Sequence, residues 1–437
     1  MVGEPRPSDS GELSGQRVPI EARLAAAGLP PLRRTAWIEI DGAALAANLD
    51  LLRRLGSASG TSMPTGTVLV MPVVKADGYG HGMVPVAQIL AAAGADALCV
   101  ATLDEALILH DAGIATPLLV LYPVPPDGAV EAARRGIGIA AGAATMLSGI
   151  LAAASDAGVA ANLTVELEVE TGLGRGGVSP EEVVDAARRI LASGARIGGV
   201  WSHLQEAESE TITAPQVARF EDALARLGEA GIAVPRRHLA ASAAILLGSV
   251  PRYDAIRPGL ATYGLIPDEL AAAGIGLADL PPDAAGLRPV LSVHARPVRV
   301  TELATGHGVS YGPTWRATRP SRIATLPIGY GDGWPRSLSN NAEALVRGAR
   351  VPVVGNVAMD ATMIDVSDVP GQPVDVDDEI VLIGQQGEAR ITAGDVARRR
   401  NTNSWEVVTA MSPRLTRVYD AMEGLAGTRP LAHLENP

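Results

Sequence analysis

Short apolar runs alternate with alanine-rich stretches of helical character along the first part of the chain. The runs are rich in β-branched and other apolar residues and recur at intervals of roughly 20–35 residues, a pattern typical of strands connected by helices. Eight runs are strand candidates: Val68–Val74, Ala97–Ala101, Pro117–Tyr122, Ile137–Ala140, Leu163–Val169, Ile197–Ser202, Arg236–Ala240 and Asp254–Arg257. This count predicts an α/β fold with a closed parallel (β/α)8 barrel of the TIM type.

Helix signals occupy the stretches around these strands. Asp41 precedes leucines at helical spacing, and Ser179–Glu182 has the composition of a helix start with proline at its first position. Thr213 precedes a third amphipathic run. These signals predict the helices that a barrel of this type requires.

The pattern changes after the barrel strands. Dense β-type runs follow one another with Gly, Pro and Asp between them and no long helix, which predicts a C-terminal all-β domain. We therefore assign residues 36–280 to the barrel and 281–437 to the β domain, with Leu265–Gly286 as the connection. The run Trp37–Ile40 precedes the barrel strands and is a candidate to pair with the β domain. The composition of residues 1–35, rich in Pro, Gly, Ser and Arg, predicts a flexible or loosely docked extension and not a signal peptide.

Charge and cysteine content exclude several kinds of function. The formal net charge is −12 and the pI is near 5.1, so the protein repels nucleic-acid backbones and anionic lipid surfaces. No run predicts a membrane span. The single cysteine, Cys99, excludes an intramolecular disulfide and multi-cysteine metal sites, and it fits a reducing cytoplasm. We expect a cytoplasmic protein without a metal, nucleic-acid or membrane partner.

The densest chemical signal is the segment VVKADGYGHG, residues 73–82. Lys75 follows directly on an apolar strand, and in a barrel this places it at the mouth where active sites lie. Desolvation of an amine at such a strand end lowers its pKa and produces a nucleophile of the kind that forms Schiff bases. The alternative is a lysine at a strand end whose side chain simply extends into solvent. This alternative accounts less well for the glycines, Tyr79 and His81 beside Lys75.

The segment VETGLGRGGV satisfies the dinucleotide-binding pattern G-x-G-x-x-G at Gly172, Gly174 and Gly177. It lies in the fifth βα repeat, however, and no acidic residue follows about 20 positions later, so we reject a dinucleotide site. Arg175 is presented by this turn at the barrel mouth and is a candidate for binding an anionic group. The alternative is a surface arginine on a loop.

Further polar residues follow the later barrel strands. His203 ends a strand and is a candidate, although a lone histidine is more often structural. Ser242, Arg257, Gly259 and Leu260 lie in the loops after the last two strands, where barrels frequently bind phosphate with hydroxyls and backbone N–H groups. A plain helix cap is the alternative for Ser242.

The β domain contributes HGVSYGPTW, with Tyr311 on a glycine-flanked turn, and VGNVAMDATMIDV, with Met359 and Asp360. A tyrosine is a poor base at neutral pH unless its neighbours stabilise the phenolate. Considered alone, Tyr311 is therefore a turn residue with an exposed ring.

Taken in order, VVKADGYGHG, GLGRGG, SH, ASAA, IRPGLATYGL, VSYG, GYGDGWPR and VGNVAMD resemble the alanine racemase family over about residues 35–425. The resemblance implies a fold-type III enzyme dependent on pyridoxal 5'-phosphate (PLP), with a barrel followed by a β domain. It implies interconversion of L- and D-alanine, with other small amino acids as further candidates, and supply of D-alanine as a peptidoglycan precursor. It also implies a head-to-tail homodimer with sites shared between subunits.

The resemblance gives each candidate residue a role. Lys75 would hold PLP as a Schiff base and transfer protons together with Tyr311, which would reach the partner subunit's site. The other cofactor contacts would be Tyr79, Ser242, Trp405 and the backbone of Gly259 and Leu260 at the phosphate, with Arg257 at the pyridine nitrogen and His203 behind it. The substrate would be bound by Arg175, Met359 and Asp360.

The chain departs from the family pattern at five positions. Glu168 stands where the family commonly has a lysine, carbamylated in well-known members, that pairs with the arginine, and it offers a carboxylate without modification. Glu170 replaces an aspartate, Ala241 an asparagine, Asn356 an arginine and Trp405 a tyrosine. An indole N–H donates one hydrogen bond and accepts none. These departures bear on the substrate more than on the type of reaction.

Two other classes share part of this pattern. A PLP-dependent basic amino-acid decarboxylase has the same architecture but carries a cysteine-containing motif in its β domain, whereas Cys99 lies in the barrel. A non-catalytic PLP carrier resembles the barrel alone, and the complete β domain with Tyr311 argues against it.

Overall fold

This computed structural model describes residues 18–57, 67–420 and 427–429. The first elements are α1 (Ile20–Ala26), β1 (Ala36–Asp41) and α2 (Gly42–Ser57). Residues 18–35 belong to the stretch predicted as a flexible or loosely docked extension. Ile20 and Leu24 of α1 are buried in a cluster with Trp37 and Val418, so this part of the stretch docks on the protein through its apolar side chains. Residues 1–17 lie outside the described residues.

Eight parallel strands form the barrel, each within or overlapping a predicted run. They are β2 (Leu69–Val70), β3 (Leu98–Val100), β4 (Leu118–Val120), β5 (Gly138–Ala141), β6 (Thr164–Glu168), β7 (Arg196–Trp201), β8 (Arg237–His238) and β9 (Ala255–Ile256). Strands β3 to β9 pair in chain order, and β9 pairs with β2. The ring closes where Val74 N–H donates to the Cys99 carbonyl at 2.8 Å and Cys99 N–H donates to the Pro72 carbonyl at 2.9 Å. The predicted barrel is confirmed.

Helices connect the strands and lead out of the barrel. They are α3 (Lys75–Tyr79), α4 (Met83–Ala92), α5 (Leu103–Asp111), α6 (Pro126–Arg135), α7 (Ala144–Asp156), α8 (Val183–Ala192), α9 (Glu210–Glu229), α10 (Ser242–Leu247) and α11 (Asp268–Ala272). Two helix starts differ from the prediction. Ser179 caps a turn ahead of α8, accepting a hydrogen bond from the Glu182 N–H at 3.3 Å, and α9 begins three residues before Thr213. In the described part of the chain, no helix combines the length and apolar character needed to cross a membrane.

The C-terminal region consists mainly of strands. They are β10 (Leu291–Ala295), β11 (Arg299–Leu303), β12 (Ser321–Leu326), β13 (Glu343–Val346), β14 (Ala349–Pro352), β15 (Thr362–Asp365), β16 (Ile380–Gln386), β17 (Ala389–Ile391), β18 (Thr416–Asp420) and β19 (Gly427–Arg429). One sheet has the order β14-β13-β16-β10-β1-β18-β19, with β17 paired to β16, and a second has the order β11-β12-β15. Two helices absent from the prediction, α12 (Ala393–Arg400) and α13 (Ser404–Thr409), lie between β17 and β18.

Strand β1 connects the two regions. It pairs antiparallel with β10 and parallel with β18, and α2 follows it directly. The chain therefore enters the barrel from the C-terminal sheet, and this sheet is held next to the barrel by the backbone itself.

Candidate active site

Lys75 begins a tight turn just after the point where the barrel closes. Ala76, Asp77 and Tyr79 have φ values of 53°, 54° and 54°, a left-handed conformation that residues other than glycine rarely adopt. The Glu105 carboxylate accepts a hydrogen bond from the Ala76 N–H at 2.7 Å and so holds the start of the turn. The turn leaves Lys75 lining a cavity of about 290 Å³.

The Lys75 amine lies in a partly desolvated, cationic environment. Burial, and next the charge of Arg175, lower the pKa of Lys75. The ring of Tyr122, which the sequence analysis did not select, lies 5.9 Å from Lys75 Nζ and 5.5 Å from the Arg175 guanidinium carbon. A lowered pKa increases the fraction of free amine, which is the nucleophilic form.

Most of the candidate site residues predicted from the sequence line this same cavity. They are Lys75, Tyr79, Arg175, His203, Ser242, Arg257, Gly259, Leu260 and Trp405. Tyr311, Met359 and Asp360 do not line it. Tyr311 is 76% exposed and Met359 52% exposed, and Asp360 accepts a hydrogen bond from Arg414 at 2.6 Å. These three residues of the C-terminal region therefore lie apart from Lys75 within one chain.

Hydrogen-bond donors converge at one end of the cavity. Ser242 Oγ accepts from the N–H groups of Gly259 and Ala261 at 3.0 and 3.1 Å; Ala261 was not selected from the sequence. Tyr79 Oη approaches so closely that a β-carbon at Gly259 would lie 2.4 Å from it. Burial raises the pKa of Tyr79, so its hydroxyl stays protonated and donates. Because Ser242 Oγ accepts from both N–H groups, its own O–H is free to donate, and the two hydroxyls together suit an anionic oxygen. We call this arrangement of Tyr79, Ser242, Gly259 and Ala261 the anion cradle.

A buried arginine lies on another side of the cavity. Arg257 donates from Nη1 to His238 Nδ1 at 2.5 Å and from Nη2 to the Ser202 carbonyl at 2.8 Å. Its guanidinium carbon lies 4.7 Å from the Trp201 ring centre. Burial lowers the pKa of Arg257 to about 10, so the side chain remains a cation at neutral pH.

The histidine that supports Arg257 differs from the one expected. His203 was expected behind the arginine, but the ring that accepts the hydrogen bond of Arg257 is His238, whose Nε2 lies 3.0 Å from Glu166 Oε2. Burial and the charges of Arg257 and Arg175 lower the pKa of His203 to about 3, so its ring is neutral. A signal was present, because Glu166 and His238 are charged or polar residues inside predicted barrel strands.

Two glutamates act on Arg175 and its turn. Glu168 Oε1 lies 3.6 Å from Arg175 Nη2, a single contact and not a bidentate pair. Burial raises the pKa of Glu168, and the charge of Arg175 opposes this rise. The Glu170 carboxylate accepts hydrogen bonds from the N–H groups of Gly172 and Gly174, the latter at 3.0 Å. The Glu170 carboxylate thus shapes the turn, and Glu168 is a carboxylate beside the Arg175 guanidinium.

These features define the class: a (β/α)8 barrel protein with a sheet-rich C-terminal region, whose cavity combines a desolvated amine, a buried guanidinium and an anion cradle. Two family models match this chain, "Alanine racemase, N-terminal domain" over residues 40–267 and "Alanine racemase, C-terminal domain" over residues 290–419. The chain belongs to the alanine racemase family, and it is an isomerase of the racemase type.

Individual relatives agree with this assignment. The chain is 40% identical over 392 residues to the alanine racemase of Symbiobacterium thermophilum, covering 88% of this chain and 97% of that protein. The solved alanine racemase of Bacillus anthracis, with bound L-Ala-P, superposes with a TM-score of 0.80 at 33% identity, covering 91% of this chain and 97% of that one. The Streptomyces coelicolor alanine racemase gives a TM-score of 0.78 at 34% identity, covering 89% and 98%.

Proposed function

We propose that this chain is a PLP-dependent alanine racemase that interconverts L- and D-alanine, with Lys75 and Tyr311 as its two proton-transfer groups. The observation that carries the proposal concerns Lys75. It is the only lysine in the sequence, and its amine lines the cavity with a pKa lowered by burial. The names of the relatives support alanine as the substrate.

The residues around the cavity fit PLP. The hydroxyls of Ser242 and Tyr79 suit its phosphate, the N–H groups of Gly259 and Ala261 hold Ser242 Oγ in place, and the missing β-carbon of Gly259 allows Tyr79 Oη to approach. Further contacts are proposed from residues that line the cavity: Lys75 at the aldehyde carbon, Arg257 at the ring nitrogen, His203 and Leu260 beside the cofactor, and Trp405 near the phosphate.

When bound, PLP supplies an electron sink that makes the Cα–H of the substrate acidic. Arg257 has donors only and keeps its charge, so it directs hydrogen-bond donors at the ring nitrogen without releasing a proton. Arg175, with the Glu168 carboxylate beside its guanidinium, binds the substrate carboxylate. Lys75 takes or returns a proton at Cα on one face, and the Tyr311 hydroxyl does so on the other. Two groups are needed because a single one returns the proton to the same face.

We further propose a homodimer in which each site is completed by the partner subunit. The exposure of Tyr311 and Met359, and their absence from the cavity that Lys75 lines, support this arrangement. Met359 and Asp360 would then approach the substrate from the second chain. The free, buried thiol of Cys99 is consistent with a cytoplasmic location.

The alternatives receive less support. A basic amino-acid decarboxylase would need a cysteine in the C-terminal region, where the sequence has none. A PLP carrier would not account for the match to the C-terminal racemase domain.

Borohydride reduction tests how the cofactor is held. Purified protein should be yellow, and reduction should fix one PLP per chain to the peptide that contains Lys75. The variant Lys75→Arg keeps the charge but has no lysine left in the sequence, so it should carry no label. Label in that variant would refute the assignment.

The reaction itself needs a separate measurement. The wild-type holoenzyme should convert each enantiomer of alanine into the other, as followed by chiral chromatography, and a panel of other small amino acids should define its range. A fully labelled enzyme that does not racemise alanine would contradict the proposed function while leaving the role of Lys75 intact.

A further inference from the structure

Tyr311 lies at the tip of a hairpin, and hydrogen bonds between the backbone groups of this hairpin do not fix the tip. The last hydrogen bond between its two arms joins the Val309 N–H to the Trp315 carbonyl at 3.3 Å, and among the described residues no backbone–backbone hydrogen bond begins or ends within residues 310–314. Ser310 has a φ of 66°, which is unfavourable for a residue with a side chain. Contacts from outside the hairpin must therefore hold the backbone that presents Tyr311.

The side chain of Asn356 makes these contacts. It is only 8% exposed, and its Nδ2 donates to the Tyr311 carbonyl at 2.7 Å and to the Gly312 carbonyl at 3.3 Å. The backbone carbonyl of Asn356 accepts from the Ser310 hydroxyl at 2.6 Å. Three consecutive residues of the tip are thus bound to one buried asparagine.

A second asparagine braces the same site. The Thr314 hydroxyl donates to Asn356 Oδ1 at 3.4 Å and accepts from Asn340 Nδ2 at 2.9 Å. Asn340 Oδ1 in turn accepts from the Gly355 N–H at 2.6 Å. An amide suits the position of Asn356 because it both donates to the turn and accepts from Thr314, whereas an arginine has donors only. All these groups are neutral, so the bracing does not depend on pH.

We infer that Asn356 is a positioning residue of the reaction, which together with Thr314 and Asn340 fixes the turn that presents Tyr311. The inference rests on the proposed role of Tyr311 in proton transfer. A displacement of the reacting group by about 1 Å costs up to ~100-fold in rate. Loosening the turn should therefore slow proton transfer on the Tyr311 face of the substrate and leave the Lys75 face unaffected.

Two variants of the holoenzyme and one control test the inference. Asn356→Asp keeps the shape but removes both donated hydrogen bonds, and Thr314→Val removes the bracing hydroxyl at an exposed position. We expect kcat to fall by about 10- to 100-fold in Asn356→Asp, with a smaller fall in Thr314→Val and little change in KM. The control is Asn341→Ala, which loses a hydrogen bond to the Arg399 carbonyl of 2.6 Å in the same region without touching the turn.

Deuterium uptake at Cα in D₂O distinguishes a loss of Tyr311 positioning from a general loss of activity. One enantiomer of alanine gives up its proton to Lys75 and the other to Tyr311, so the two turn variants should lose uptake for one enantiomer only. As a readout independent of activity, amide hydrogen exchange should accelerate in a peptide covering residues 308–316 and stay unchanged in one covering residues 68–80.

Equal loss of uptake for both enantiomers, or unchanged amide exchange over residues 308–316, would overturn the inference. A Tyr311→Phe enzyme that still exchanges both enantiomers would overturn the proposed role of Tyr311 instead. The amide exchange of the Asn356→Asp variant distinguishes these two failures, since it does not depend on catalysis.

Discussion

Side chains behind the cavity fix the charge of the groups that line it. Because the Arg257 guanidinium has donors only, His238 Nδ1 must be unprotonated, and its Nε2 carries the hydrogen that points to Glu166. Burial raises the pKa of Glu166, but the hydrogen bond from His238 and the charge of Arg236 outweigh it and hold the pKa below its usual value. An ionised Glu166 thus fixes the His238 tautomer and, through it, the direction of Arg257.

Glu168→Gln should damage catalysis and leave stability intact or improved. Removing the charge 3.6 Å from Arg175 releases the guanidinium, so we expect kcat/KM for alanine to fall about tenfold or more, equivalent to ~1.4 kcal/mol of transition-state stabilisation. Glu181→Gln, at an exposed glutamate, is the control. A kinetically silent Glu168→Gln would mean that another group positions Arg175.

The pH dependence of the same variant has a definite sign. Burial raises the pKa of Glu168 above its unfolded value, so the stability contributed by its protonated form is present at acid pH and lost as pH rises through the folded pKa. The melting temperature of Glu168→Gln should therefore equal that of wild type in acid and match or exceed it at neutral pH. Since Lys75 is the only lysine, no second lysine could be carbamylated, and wild-type activity should not respond to added bicarbonate.

Elements create the anion cradle by approaching one another closely. The short 3-10 helix Leu260–Tyr263 follows β9, and α10 begins at Ser242, whose hydroxyl accepts from the N–H groups of Gly259 and Ala261. The left-handed turn at α3 turns Tyr79 towards the same place. The cradle therefore forms only where the connections that follow β2, β8 and β9 come together.

Gly259→Ala tests this close approach. The added methyl would lie 2.4 Å from Tyr79 Oη, so the hydroxyl must move and the phosphate site loses a donor. We expect PLP affinity to fall about tenfold or more, a loss comparable to one charge-assisted hydrogen bond, as measured by fluorescence titration. Gly228→Ala is the matched control, because a β-carbon there meets nothing within 4 Å and in a helix should stabilise by up to ~1 kcal/mol. Equal PLP affinities of Gly259→Ala and wild type would show that Gly259 is not part of the cradle.

At the scale of the whole molecule, the C-terminal region supports the Lys75 turn of its own chain. Tyr419 donates to the His81 carbonyl at 2.9 Å, and Arg417 Nε donates to the Gly80 carbonyl at 2.9 Å, both from β18. Tyr311, at the tip of another hairpin in the same region, points into solvent. The C-terminal region thus supports the Lys75 turn of its own chain, and it leaves Tyr311, the proposed second proton-transfer group, exposed.

Mixing two inactive enzymes tests the proposed exchange of groups between chains. If each site combines Lys75 of one subunit with Tyr311 of the other, hybrid dimers of Lys75→Ala and Tyr311→Phe chains carry one intact site each. Random pairing at equal amounts should then restore about a quarter of wild-type activity. Subunit exchange is verified by mass labelling of one variant. Full exchange without recovery of activity would place both groups in one chain.

The sequence by itself determined the alternation of strand and helix, the change to a β-rich pattern after the barrel, and nine of the residues that line the cavity. Periodicity and short motifs specify these features because each depends on neighbouring residues in the chain. The barrel strands fall within or overlap the eight predicted runs because most of these runs are apolar segments bounded by polar residues, whereas α8 and α9 begin at other residues because capping depends on the packed ends.

Only the tertiary structure decided which side chains meet. His238 rather than His203 contacts Arg257, Asn356 holds Tyr311 across 45 positions of sequence, and the helix in the predicted extension docks beside Trp37. A hydrophobic pattern shows which face of an element is buried but not which partner it meets. A hydrogen bond forms only when donor and acceptor are placed correctly to within a few tenths of an ångström. For residues far apart in the chain, this placement exists only once the barrel and the sheets have packed.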